Sequence, residues 1–196
     1  MGDLATMRTF VAIEIPETLK PNLERSMEVL RSDLPEGLIR WVRPKSMHLT
    51  LRFLGEIEKD RVHSIQEVLD EVAVRFSSFA LEITGFGCFP NIKRPRIVWV
   101  GFEPAGGDLL RLQSDLANRL AKIGFEAERR DYHPHLTLGR VRNGLSKTDL
   151  ELIAAWVQGA QIGKVGRFEV DAVSLIRSDL QPDGAVYTNL HFARLA

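Results

Sequence analysis

Cysteine is almost absent from this 196-residue chain, Cys88 being the only one. No intrachain disulfide can form, so a reducing cytoplasm is the expected location. Cys88 follows Gly87 in an apolar stretch and reads as a small core residue, not a nucleophile. Long apolar runs are missing too: nothing approaches a transmembrane span, and the start of the chain lacks the apolar segment of a signal peptide. No membrane partner is expected. Net charge is also lacking, with 26 basic residues against 26 acidic ones, which excludes a global field that would draw in polyanions. What is present, 44% hydrophobic and 27% charged residues, is ordinary for a globular chain. Its length suffices for one large core or two fused lobes.

Against that plain background one pattern stands out. His48-Leu49-Thr50-Leu51 recurs unchanged as His135-Leu136-Thr137-Leu138, using two of only five histidines. Histidine is the side chain best suited to moving protons near neutral pH, and two of them can supply one general acid and one general base. Each Thr lies two residues after its His, so on a strand the hydroxyl and the imidazole share a face. The hydroxyl can then donate to an anionic oxygen. A single such tetrapeptide would most often be a hydrogen-bonded sheet residue. Strand packing gives no reason for an identical second copy. Basic residues flank both motifs: Arg40, Arg43, Lys45 and Arg52 around the first, Arg129, Arg130, Arg140 and Arg142 around the second. Together they read as a phosphate-directed acid–base site. A third cluster, Lys93, Arg94 and Arg96, reads equally well as solvated surface.

Periodicity predicts strands over Thr9–Ile15, Ile39–Arg43, Met47–Leu54, Phe79–Phe86, Arg96–Phe102 and His135–Val141. Helices are predicted over about Pro21–Leu30, Lys59–Phe76, from Gly106-Gly107 through Ile123, and over Lys147–Val157. The end of the chain, Arg167–Arg177 and Ala185–Arg194, reads as a hairpin turned by Pro182-Asp183-Gly184. The second histidine follows the first by 87 residues, and the same offset places Val11, Ile13 and Ile15 on Val98, Val100 and Phe102. We therefore expect an α+β fold of two pseudo-symmetric lobes. Each is a largely antiparallel sheet with outer helices, the two facing a central cleft with one histidine per lobe. Residues 1–196 are read as one bilobal domain, with residues 1–7 as a ragged N-terminal extension.

The motifs carry a resemblance. Arg8-Thr9-Phe10-Val11-Ala12-Ile13, His48 through Gly55, Pro95-Arg96-Ile97-Val98-Trp99, His133 through Arg140 and the Ser178-to-Tyr187 hairpin resemble the two-histidine phosphoesterases. The likeness is greatest to the RNA 2′,3′-cyclic phosphodiesterases, historically called 2′-5′ RNA ligases. It implies metal- and cofactor-independent hydrolysis of a terminal 2′,3′-cyclic phosphate, on RNA ends or on nucleotides, to a 2′-phosphate by a monomeric enzyme. One histidine would activate water and the other protonate the departing ribose 3′-oxygen. We assign His48 as the acid and His135 as the base, although the repeat itself makes them chemically equivalent. Thr50 and Thr137 would donate to the non-bridging oxygens, Arg140 would clamp the phosphate, and Phe53 would stack on the base. Zero net charge fits a grip confined to the RNA end.

Strand parity complicates three of these residues. Arg52, four after His48, should face the cleft and join the substrate contacts, whereas Phe53 should point away like an ordinary core phenylalanine. Arg140, five after His135, should also point away unless Gly139 marks a bulge or the strand's end. His133-Pro134-His135 does not amount to a metal site, because no third ligand accompanies it. His133 reads as a loop-shaping residue, and His63 and His191 as structural or surface residues. Two other functions fit the motifs: a binding module for nucleotides or RNA that has lost its chemistry, and 2′-5′ ligation as the reverse reaction.

Overall fold

The computed structural model describes residues 6–104, 107–126, 131–181 and 184–196. Arg129, Arg130, Gly106 and the Pro182-Asp183 turn lie outside the described residues. The described strands are β1 (Thr6–Glu14), β2 (Ile39–Trp41), β3 (His48–Glu58), β4 (Phe79–Phe89), β5 (Ile97–Pro104), β6 (His135–Val141), β7 (Gly166–Val170), β8 (Ala172–Gln181) and β9 (Gly184–Arg194). The helices are α1 (Lys20–Ser32), α2 (Arg61–Ala73), α3 (Asp108–Lys122) and α4 (Lys147–Gly159). One antiparallel sheet has the order β3-β1-β8-β9 and the other β2-β6-β5-β4-β7. This is the α+β architecture the periodicity implied. No described helix is long and apolar enough to cross a membrane.

Strand register reproduces the 87-residue offset. In the first sheet Glu14, Ala12 and Val11 lie opposite His48, Thr50 and Arg52. In the second, Gly101, Trp99 and Val98 lie opposite His135, Thr137 and Gly139. Each pair is its counterpart shifted by 87. Val11, Ile13, Ile15, Val98, Val100 and Phe102 are all buried, so the two opening strands turn the same alternating face to the core.

The lobes are nevertheless interleaved. β2, from the first half, is an edge strand of the second sheet, and β8 and β9 complete the first. The expected Arg167–Arg177 strand is two strands broken at Asp171, β7 pairing with β4 and β8 with β1. Alternation cannot reveal that change of sheet, because the local pattern is the same in either one. Thr6 and Met7, read as part of a ragged start, belong to β1 opposite Glu58 and Ile57. β3 continues past Gly55, which adopts φ +76 within the strand.

The helices lock the lobes together. α1 buries Leu23, Met27 and Leu30, each worth roughly 1.5–3 kcal/mol. Asn22 on α1 donates to the Val165 carbonyl just before β7 of the second sheet (3.1 Å). Conversely Gln113 on α3 donates to the Leu51 carbonyl of β3 in the first (3.3 Å). The helix after each lobe's opening strand therefore crosses to the other lobe. α4 begins with a capping box in which Ser146 and Asp149 satisfy each other's backbone N–H groups. Cys88 lies in the core, where burial raises its thiol pKa. That leaves it unsuited to nucleophilic work.

Candidate active site

Both motif histidines open their strands shortly after a proline. Pro44 starts the 3-10 turn at 44–46 ahead of His48, and Pro134 directly precedes His135. Each ring is tied to the backbone two residues behind it. His135 Nδ1 donates to the His133 carbonyl at 2.7 Å, and His48 is hydrogen-bonded to the backbone of Ser46. A carbonyl can only accept, so Nδ1 of His135 carries the proton and Nε2 is left for chemistry. His133 thus contributes its carbonyl, the loop-shaping role its position suggested. β3 and β6 lie against each other, and Tyr132 donates across the lobes to the Thr50 carbonyl (3.1 Å).

A matching irregularity in the two strands decides what accompanies the histidines. The register on β3 skips Leu51, and the register on β6 skips Leu138. Each skip is a β-bulge, and it reverses the parity of the residues that follow, on β3 as far as a second skip at Leu54. His135, Thr137 and Arg140 therefore share one face, as the Gly139 signal allowed. On β3 the same reversal overturns the expectation for Arg52, which is turned to the far side and only 5% exposed. It is not a cleft residue. Phe53 takes its place on the face of His48 and Thr50, 58% exposed instead of sunk in the core. Phe53 and Arg140 are 87 apart, so an aromatic ring in one lobe occupies the position of a guanidinium in the other. Gly139 is glycine for space: a Cβ there would lie 2.5 Å from Ile39 Cγ2 on β2.

Aromatic rings surround both imidazoles. Phe10 stacks on His48 (centroids 4.4 Å apart, 23° between planes), and Tyr187 meets the same ring edge-on at 5.0 Å. Phe53 lies 6.1 Å from Phe10. Phe89 meets His135 edge-on at 4.9 Å, with Trp99 6.4 Å away. Burial drives His48 from its ordinary 6.5 down to about 4, against the lift from its hydrogen bond to Ser46. His135 is lowered as well, first by burial and further by the charges of His133 and Arg140, while its bond to the His133 carbonyl opposes this. Arg140 and Arg8 both act on the Tyr187 hydroxyl, although burial there dominates and raises it. Cationic groups from both lobes thus act on Tyr187, the ring that meets His48 edge-on. Across from His48, Glu14 accepts hydrogen bonds from Ser174 (2.8 Å) and Asn189 (2.7 Å).

Phe10, Tyr187 and Phe89 are site residues that sequence reasoning missed. For Phe10 a signal existed: in Phe10-Val11-Ala12-Ile13 it lies on the face opposite the core residues Val11 and Ile13. Tyr187 and Phe89 come from strands whose pairing no local pattern reveals. Trp41 packs edge-on against Trp156 and lies on β2 opposite Gly139. His63 lies on α2 near Glu67 (3.4 Å), and His191 contacts Asp70 (2.7 Å), tying β9 to α2. Among the described residues no three His, Cys, Asp or Glu side chains are grouped to hold a metal ion.

Comparison with known proteins agrees with this arrangement. The model of the LigT-like phosphoesterase family matches twice in succession, over residues 13–99 and 100–187, which is the internal duplication seen in the register. An RNA 2′,3′-cyclic phosphodiesterase of Methanothermobacter thermautotrophicus is 33% identical over 96% of this chain and 99% of its own. One from Archaeoglobus fulgidus is 33% identical over 94% and 98%. The crystal structure of a Thermus thermophilus protein superposes with a TM-score of 0.78 at 27% identity, covering 96% of this chain and 98% of that one.

Proposed function

The chain belongs to the LigT-like phosphoesterase family, and from that premise we propose that it hydrolyses a terminal 2′,3′-cyclic phosphate on RNA to a 2′-phosphomonoester. The observation that carries this reading is the pair of matched bulges. They put His48, Thr50 and Phe53 on one face of β3 and His135, Thr137 and Arg140 on one face of β6, and Arg140 acts on Tyr187, which packs against His48. The names of the Methanothermobacter and Archaeoglobus relatives support the substrate class. Substrates are RNA ends or nucleoside 2′,3′-cyclic phosphates, and no metal or cofactor takes part.

In this mechanism Nε2 of His135 takes a proton from water as its oxygen attacks phosphorus. The bond to the ribose 3′-oxygen breaks, and His48 protonates that oxygen. Thr50 and Thr137 donate to the non-bridging oxygens, where charge accumulates, and Arg140 neutralises it. Phe53 supports the base of the terminal nucleoside. With its pKa lowered to about 4 by burial, His48 is neutral near pH 7. To serve as acid it must gain about three units when substrate binds, or about 4 kcal/mol. A phosphodiester monoanion about 4 Å away supplies about 4 kcal/mol at an effective dielectric of about 20. Substrate charge can therefore load the acid.

Turnover of a nucleoside 2′,3′-cyclic phosphate by wild type, His48→Ala and His135→Ala tests the proposal. Each variant is expected to lose at least about 100-fold in kcat. Full activity in either would remove the two-histidine mechanism.

A further inference from the structure

On the second sheet, a slot continues from His135 away from Arg140. It is a half-open space of about 360 Å³, lined by Thr84, Phe89, Trp99, Gly101, Glu103 and His133, among others. That volume lies at the small end of ligand pockets, which run to roughly 300–1,000 Å³, and suits one planar ring. Its floor is the indole of Trp99, which lies flat across the sheet because two neighbours have no side chain. A Cβ on Gly87 would lie 2.5 Å from Trp99 Cζ2, and one on Gly101 3.3 Å from Cζ3. Phe89 closes one side, its ring 5.3 Å from the indole. The corresponding place in the first lobe is built differently: Ala12 stands where Trp99 does, and Glu14 with Ser174 and Asn189 fills the position of Gly101. The duplication alone therefore does not account for the slot.

We propose that this slot is a second nucleobase site, receiving the base next to the cyclic-phosphate-bearing nucleoside of an RNA end. The inference rests on the catalytic reading above and adds a substrate-length preference to it. Ribose chemistry gives the direction. The base leaves the sugar at C1′ and the chain continues from C4′ through C5′, on opposite sides of the 2′,3′ edge. With the terminal base on Phe53, the chain continues from the other end of the sugar, and the slot beside His135, lined by neither Phe53 nor Arg140, is a ring-sized space separate from the first base's place. The next base then stacks on Trp99. Thr84 and Glu103 at the rim can meet its polar edge, and the connecting phosphodiester passes His133.

The test is the ratio of kcat/KM for a dinucleotide ending in a 2′,3′-cyclic phosphate to that for the matching mononucleotide. Wild type is expected to favour the dinucleotide by about 10- to 100-fold, the value of one stacked base. Trp99→Leu removes the floor, and Thr84→Phe fills the slot from its rim while keeping the indole. Both should collapse the ratio toward one. A ratio that survives in both variants overturns the proposal, as does a wild type with no dinucleotide preference, since either shows Trp99 to be packing only. Formation of a nucleoside-transfer product from an added 5′-hydroxyl nucleoside, lost in Trp99→Leu while the ratio persists, would overturn it in favour of an acceptor site. Absence of turnover on both substrates would instead defeat the catalytic reading, so the two failures are distinguishable.

Discussion

Placing an imidazole under Phe10 and Tyr187 has a measurable consequence for folding. His48 falls from 6.5 to about 4 on burial, so the unfolded chain binds a proton that the folded one refuses. Because its folded pKa is depressed, the contribution is complete above about pH 6.5 and is lost as pH falls toward 4. The linkage relation gives a loss of about 2 kcal/mol between pH 7.5 and 5, rising to about 3 kcal/mol at pH 4. His48→Phe keeps a planar ring against Phe10 and cannot titrate. Carboxylates and His135 contribute to wild type and variant alike, so the difference between the two pH dependences isolates His48. Urea unfolding of both proteins at pH 7.5 and 5 should show wild type losing about 2 kcal/mol more than the variant, or about 4–8 °C in Tm for a chain of this size. Parallel pH dependences, agreeing within about 0.5 kcal/mol, would mean that the ring is not desolvated as the packing indicates.

The bulges separate the roles of two adjacent residues. Phe53→Ala should raise KM with little change in Tm, whereas Arg52→Ala should lower stability by about 1–3 kcal/mol and leave KM almost unchanged. The opposite outcome would restore unbroken strand parity. Gly139→Ala puts a methyl against Ile39 and should cost about 1–3 kcal/mol in denaturant unfolding, loosening β2 from β6. Saturating the protein with a 2′-nucleotide should raise the His48 ring pKa, followed by NMR titration, by about two to three units. A ring that stays neutral in the complex would pass the acid role to His135. Excess chelator should leave turnover unchanged, and a loss reversed by added metal would refute metal independence.

Much of this protein is legible from its residues in order. The two His-Leu-Thr-Leu segments, their spacing, and the alternation of Val11-Ala12-Ile13 with Val98-Trp99-Val100 are local periodicities. They are enough to imply two similar sheets with one histidine each, because side-chain direction on a regular strand follows from parity alone. Parity is also where the reading failed. One skipped residue, Leu51 or Leu138, reverses the direction of the residues that follow it, and whether a skip occurs depends on the partner strand. Tertiary pairing therefore decided that Arg52 is buried while Phe53 and Arg140 share the faces of His48 and His135. It likewise separated β7 from β8, brought Tyr187 and Phe89 to the imidazoles, and laid Trp99 over Gly87 and Gly101. The residues alone singled out the two histidines proposed to react. Their surroundings, and hence the proton affinity of His48, were settled by strands distant in sequence, since burial depends on all the neighbours a fold assembles.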